Sequence, residues 1–180
     1  MRKLIESCFV SLDGVVEGAE AWGAPYYTND ENRHHWNSKL QEADALLFGR
    51  VTFELFHGIG LKAQGDPYFD RIGSLPKFVA STTMREGSWN ATLISNQAAE
   101  KIAELKSHPG KNILKYGNGG LDKTLMENNL IDEFNVSIFP VVVGKGRRLF
   151  EGVDTSHFKI KLGGVKQFSN GVVTLTYVHD

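Results

Sequence analysis

The residues best suited to chemistry lie in Lys115-Tyr116-Gly117-Asn118-Gly119-Gly120-Leu121-Asp122, where small residues separate an apolar stretch from a helix-like one. A strand that turns through glycines into a helix makes a site for anions. The first helical amides lack partners within the helix, the dipole is positive there, and glycine lets an oxygen approach the backbone. The segment is not a P-loop, since Leu121-Asp122 stands where Lys-Ser/Thr is needed. Nor is it a Rossmann fingerprint, because the third glycine and the later acidic residue are missing.

Two further segments repeat the pattern. Phe48-Gly49-Arg50-Val51-Thr52 puts an arginine and a hydroxyl after an apolar run, and Ala80-Ser81-Thr82-Thr83-Met84-Arg85 puts three hydroxyls and an arginine after another. In an open α/β sheet, ligands collect at the carboxyl ends of strands. Three such ends with anion-binding groups point to a phosphate-rich ligand. Ser11-Leu12-Asp13-Gly14 adds a carboxylate at the end of the first strand, and Pro140 to Arg148 carries the cations Lys145, Arg147 and Arg148 between glycines. Adjacent His34 and His35 point apart on a helix, so no metal site is expected. The single cysteine, Cys8, excludes a disulfide within the chain and reads as a buried, inert thiol.

The elements that must hold these residues alternate between strand and helix. Ala45–Phe48 is a short continuous apolar run, as expected of a buried strand, and Leu4–Val10, Lys77–Ala80, Ala91–Ile94, Asn112–Tyr116 and Glu133–Phe139 also read as strands. One helix, capped by Thr28 or Asn29, carries Trp36, Leu40 and Ala43 on one face, and a short one runs from Arg50 through Phe56. Another, capped by Ser95 or Asn96, carries Ala98, Ile102 and Leu105; the last carries Leu121 and Leu125. Phe158–Phe168 and Val172–Val178 flank Ser169-Asn170-Gly171, a hairpin signal because Asn and Gly both tolerate positive φ. The expected fold is one three-layer α/β domain over residues 1–180, with a mixed, mainly parallel sheet that ends in an antiparallel hairpin.

The balance of 20 basic against 21 acidic residues gives no surplus to attract a polyanion, so nucleic acid is not an expected partner. The chain contains no apolar run of membrane-spanning length, and its first residues lack the apolar core of a signal peptide, which favours a cytoplasmic location.

Several of these segments resemble one superfamily. Ser11-Leu12-Asp13-Gly14 resembles the S-x-D-G of the riboflavin-biosynthesis reductase domain. Ala45 to Phe53 resembles the strand and G-R-x-T segment that this domain shares with dihydrofolate reductase. Lys115 to Gly120 resembles the later glycine segment, and Pro140 to Gly146 with Phe150 the P-x-x-x-G-x-G-x-x-x-F of the reductase domain. The resemblance is co-linear over nearly the whole chain. It implies NADPH as hydride donor and a pyrimidine, pteridine or similar small molecule as acceptor. The closest parallel is the reduction of a ribosylamino-pyrimidine; a folate or pteridine reductase and a non-catalytic nucleotide-binding module are the alternatives.

By the same resemblance Gly49, Arg50, Val51 and Thr52 meet the pyrophosphate and adenosine side. Ser81, Thr82 and Arg85 hold the ribose 2′-phosphate, and Gly117, Asn118, Gly119 and Gly120 cradle the pyrophosphate. Leu12 and Asp13 flank the nicotinamide, with Asp13 as the catalytic candidate. Dihydrofolate reductase uses a carboxylate on its first helix; here Asp30, Glu31, Arg33 and His34 all stand near that helix start. Asp30, Glu31 and His34 are the substrate-side candidates, together with Gly144 and Lys145 for a substrate phosphate. A homodimer is implied as well.

Overall fold

The computed structural model of the chain describes residues 1–154 and 159–179. Among these residues eight strands form one sheet in the order β4-β3-β2-β5-β1-β6-β8-β7: β1 Leu4–Ser11, β2 Ala43–Gly49, β3 Lys77–Ala80, β4 Ala91–Ile94, β5 Asn112–Tyr116, β6 Glu133–Phe139, β7 Ile160–Gln167 and β8 Val173–His179. The pairings from β4 across to β6 are all parallel, and only β6–β8 and β8–β7 are antiparallel. The mixed sheet with a terminal hairpin is therefore as expected. The start of its first strand at Phe158 lies outside the described residues.

Among the described residues there are six α-helices, α1 Ala19–Trp22, α2 Asp30–Gln41, α3 Arg50–Lys62, α4 Pro67–Ser74, α5 Ala98–Ser107 and α6 Gly120–Glu127, and one 3-10 turn, Ala24–Tyr26. Period-2 alternation sends the strands' side chains to two cores. On one face Ile5, Leu46, Phe48, Val79 and Leu114 pack under Leu40 of α2, Phe53 of α3 and Ile72 of α4. On the other, Leu4, Cys8, Leu47 and Ile113 pack under Ile102 of α5 and Leu125 and Met126 of α6.

Some boundaries differ from the sequence expectation. Ala43 opens β2 instead of closing α2, because it pairs with Asn112 across the sheet. Helix α3 continues past Phe56 to Lys62, despite Gly58 and Gly60, because Trp89 packs against Gly60. Helix α5 starts after Gln97 in a left-handed conformation, with no side-chain cap, while Asn96 accepts a hydrogen bond from Lys101 Nζ at 2.9 Å. In the hairpin turn only Gly171 uses positive φ, and Phe168 N–H donates to Val172 O at 2.9 Å.

Candidate functional site

Because the six parallel strands point the same way, their carboxyl ends, Ser11, Gly49, Ala80, Ile94, Tyr116 and Phe139, gather at one edge. Across the centre of that edge, β2, β5 and β1 present Gly49–Thr52, Gly117–Gly120 and Ser11–Gly14 side by side. Helix α3 begins directly after Gly49 with no side-chain cap, and helix α6 after Gly119, whose N–H donates to the Asp122 carboxylate of its first turn. The first amides of α3, and those of Gly120 and Leu121 in α6, are therefore not closed off by a capping side chain. A Cβ built on Gly49 or on Gly120 would meet no atom within 4 Å, so both face open space. Gly117 is different. Its φ is +78°, and a Cβ there would come within 2.4 Å of Thr52 Oγ1, so the two tips are in contact.

Beneath the glycine loop lies an ionisable cluster that the sequence reading missed. Glu6, Lys115 and Asp122 are buried, with Lys115 Nζ 2.5 Å from Asp122 Oδ1 and 3.6 Å from Glu6 Oε2. Burial lifts the Glu6 carboxyl well above the carboxylate range, although Lys115 opposes this. Burial alone would raise Asp122 too, but the Lys115 ammonium beside it holds it below its usual value. Burial alone would lower Lys115, yet its two acidic neighbours raise it. The register of the sheet creates the cluster, since Glu6 and Lys115 are direct partners across β1 and β5. No spacing within the sequence signals that pairing.

Asp13 fastens the first strand's turn to the loop after β6. Its carboxylate accepts hydrogen bonds from Ser11 Oγ at 2.7 Å, Val143 N at 3.0 Å and Gly144 N at 2.8 Å. The Ser11 hydroxyl first, and then the two amides, hold its pKa down at about 2, so it has no proton to give near neutrality. A carboxyl depressed in the folded state contributes stability above its unfolded pKa and loses it as pH falls through the folded value. Asp13→Ala is therefore expected to speed hydrogen exchange at Val143 and Gly144 roughly tenfold at neutral pH. The gap to the unmodified protein should close on acidification through about pH 2.

Leu12 and Lys145 are exposed on this same turn and loop. Arg147 reaches from the loop to the glycine segment, donating from Nη1 to Asn118 O at 2.7 Å. At the β3 tip, Ser81 Oγ accepts from Thr83 N at 3.2 Å and Met84 N at 3.0 Å. Thr82, Arg85 and, at the α3 start, Val51 are exposed; Arg50 pairs with Glu54 at 3.1 Å.

A small cavity lies between α2 and the sheet, lined among others by Ser7, His35, Trp36, Lys39, Tyr68 and Tyr116. The Tyr68 and Tyr116 hydroxyls are 2.8 Å apart, and Ser137 Oγ lies 2.7 Å from Thr174 Oγ1. Asp30, Glu31 and His34 do not line it. They lie on the exposed side of α2, and Glu31 accepts from Ser169 N at 2.8 Å. His35 of α2 does line the cavity, and burial and nearby lysines push its pKa down to about 4, so that it is neutral at pH 7. The lining contains no carboxylate. Among the described residues no group of His, Cys, Asp and Glu is arranged to hold a metal, and no helix is long and apolar enough to cross a membrane.

A mainly parallel sheet with helices on both faces and an antiparallel hairpin at one edge is the dihydrofolate-reductase-like fold. Residues 2–174 match the family model of the RibD C-terminal domain, and the chain belongs to that family. It is 33% identical over 181 residues to the uncharacterized protein YyaP of Bacillus subtilis (strain 168), covering 98% of this chain and 94% of that protein. Among solved structures it shares its fold with the diaminohydroxyphosphoribosylaminopyrimidine deaminase/5-amino-6-(5-phosphoribosylamino)uracil reductase of Thermotoga maritima. The TM-score is 0.66 at 14% identity, over 99% of this chain and 57% of that one. Dihydrofolate reductase from Enterococcus faecalis, in complex with NADP(H) and RAB-propyl, gives a TM-score of 0.64 at 14% identity, over 99% and 96% of the two chains.

Proposed function

We propose that this chain is an NADPH-dependent reductase of a pyrimidine-like small molecule, with 5-amino-6-(5-phosphoribosylamino)uracil reduction as the model reaction. One observation carries this reading: two helices begin at neighbouring strand tips, where Gly49 and Gly120 leave the backbone open to a diphosphate. Arg50, Val51 and Thr52 on one side and Gly117, Asn118 and Gly119 on the other complete the cradle. Ser81, Thr82 and Arg85 take the ribose 2′-phosphate; Thr82 and Arg85 are exposed at the β3 tip. The cofactor supplies the hydride, and the protein's part is to bind, orient and exclude water.

The acceptor enters beside Leu12 and Asp13, between α2 and the loop carrying Gly144 and Lys145. The pyrimidine reading is favoured over a folate one because protonating a pterin ring calls for an available acid, and the Glu133 carboxylate beside the cavity is engaged by Asn135 and Lys39. Asp13, held ionised, orients the loop at the acceptor's edge and transfers no proton. The assembly proposed is a cytoplasmic homodimer. Leu162 and Val165 of β7, 54% and 60% exposed, offer apolar surface for a second copy to cover.

The test is cofactor discrimination. The double substitution Ser81→Ala, Arg85→Ala is expected to weaken NADPH by at least about tenfold, the effect of losing charge-assisted hydrogen bonds to one phosphate. NADH should change by less than about threefold. Equal losses for both cofactors would remove the 2′-phosphate assignment. Absence of NADPH oxidation with any ribosylamino-pyrimidine or pterin would remove the reductase reading.

A further inference from the structure

The Gly117–Gly120 loop rests on a charged cluster for which hydride transfer has no use. Glu6, Lys115 and Asp122 are 0%, 1% and 1% exposed. Each grips a different loop residue. Lys115 Nζ donates to Gly117 O at 2.5 Å, Asn118 Nδ2 donates to Glu6 Oε1 at 3.1 Å, and Gly119 N donates to the Asp122 carboxylate. Three consecutive loop residues are thus tied from below to β1, β5 and α6. From above, Arg147 holds only the Asn118 carbonyl.

We infer that Glu6, Lys115 and Asp122 are positioning residues that hold the glycine loop in its binding shape, with Glu6 in its neutral, protonated form. Two buried carboxylates against one ammonium would leave an uncompensated negative charge, which a protein interior tolerates poorly. The geometry says where the neutralising proton sits. Asp122 has one oxygen 2.5 Å from Lys115 Nζ and its other oxygen accepting from Gly119 N, whereas Glu6 Oε2 is 3.6 Å from Lys115 Nζ. A proton on Glu6 removes the excess charge and lets Glu6 face Asp122 as a donor. The upward shift of Glu6 by burial agrees with this. The other groups facing the cluster are Asn118, which is neutral, and Cys8 on β1, whose thiol burial also pushes up.

The effect on affinity rests on the reading of this loop as a dinucleotide cradle; the effect on the loop itself does not. Two variants separate the roles. Glu6→Gln keeps a neutral group that can accept from Asn118 and donate toward Asp122. Glu6→Leu removes both contacts. Fluorescence titration with NADPH from about pH 6 to about pH 9, together with amide hydrogen exchange of residues 116–121 without cofactor, gives the readouts.

Glu6→Leu is expected to raise the Kd for NADPH about tenfold and to speed exchange in the loop by a similar factor. Glu6→Gln is expected to bind as the unmodified protein does at neutral pH. At alkaline pH the unmodified protein should lose affinity as Glu6 ionises and faces Asp122 as a second negative charge, while Glu6→Gln should not. A Cys8→Ala background should leave that difference in place. If Glu6→Leu leaves loop exchange unchanged, or if Glu6→Gln binds and exchanges as poorly as Glu6→Leu, the inference is overturned. If Glu6→Leu does not fold, the alkaline profile of Glu6→Gln decides. If the unmodified protein binds no NADPH, the cofactor reading falls and loop exchange alone decides.

Discussion

Gly117→Ala is expected to abolish measurable NADPH binding and to lower the melting temperature by roughly 10 °C. Two costs combine. The backbone at Gly117 has φ +78°, a conformation that disfavours any side chain by about 1–3 kcal/mol. The new methyl would also stand 2.4 Å from Thr52 Oγ1 and 3.1 Å from Thr52 Cγ2, an overpacking cost of about another 1–3 kcal/mol. The only easy relief is to move the start of α3 away from the β5 tip, which would pull apart the two backbone segments proposed to share one diphosphate. Thr52→Ala in the same chain removes the atom behind the closest contact. The double variant should regain the clash contribution and retain the φ contribution, a non-additivity visible in urea denaturation. Simple additivity would mean that the two tips are not in contact.

Lys115→Met should be comparably damaging for an electrostatic reason. Lys115 is 1% exposed and is the sole cation among the charges of its cluster. Removing one partner of a buried ion pair typically costs about 3–5 kcal/mol, because the remaining charge has neither water nor counter-ion. In the variant, Asp122 would be raised above its unfolded value, so the sign of the pH dependence is determined. The folded state is favoured below the unfolded carboxylate range and loses that advantage as pH rises through the new folded value. Urea denaturation should therefore show the deficit shrinking from about pH 7 to about pH 4. Adding Asp122→Asn should recover most of the deficit at neutral pH. A deficit independent of pH would show that Lys115 acts by packing alone.

Most of the fold was legible because burial imposes local patterns. Ala45–Phe48 is a continuous apolar run and became an interior strand of the sheet, and Ser169-Asn170-Gly171 marked the hairpin. Helix α4 was also visible in principle. Asp66 accepts from Tyr68 N and Phe69 N, Pro67 occupies the first turn, and Tyr68, Phe69 and Ile72 share the core-facing side, a recognisable start signal and apolar face. The strand tips could be read from single segments, since each is a turn with its own glycines and hydroxyls.

What joins segments could not be read. The Glu6–Lys115 pairing depends on β5 entering beside β1, and the contact of Thr52 with Gly117 on β2 lying next to β5. Neither neighbour relation is encoded in local spacing. The orientation of α2 was the other gap. Helical spacing placed Trp36 and Leu40 on the inner face, which turns His35 and Lys39 toward the cavity and leaves Asp30, Glu31 and His34 outside. An alignment by resemblance has no access to that rotation.

Titration calorimetry of the folded, full-length chain with NADPH puts the crevice to the most direct test. One molecule per chain, bound with a Kd of about 10 μM or tighter and abolished by Gly117→Ala, is the expected result. No heat with either NADPH or NADH, in protein whose cooperative unfolding is intact, would contradict a dinucleotide site at the strand tips.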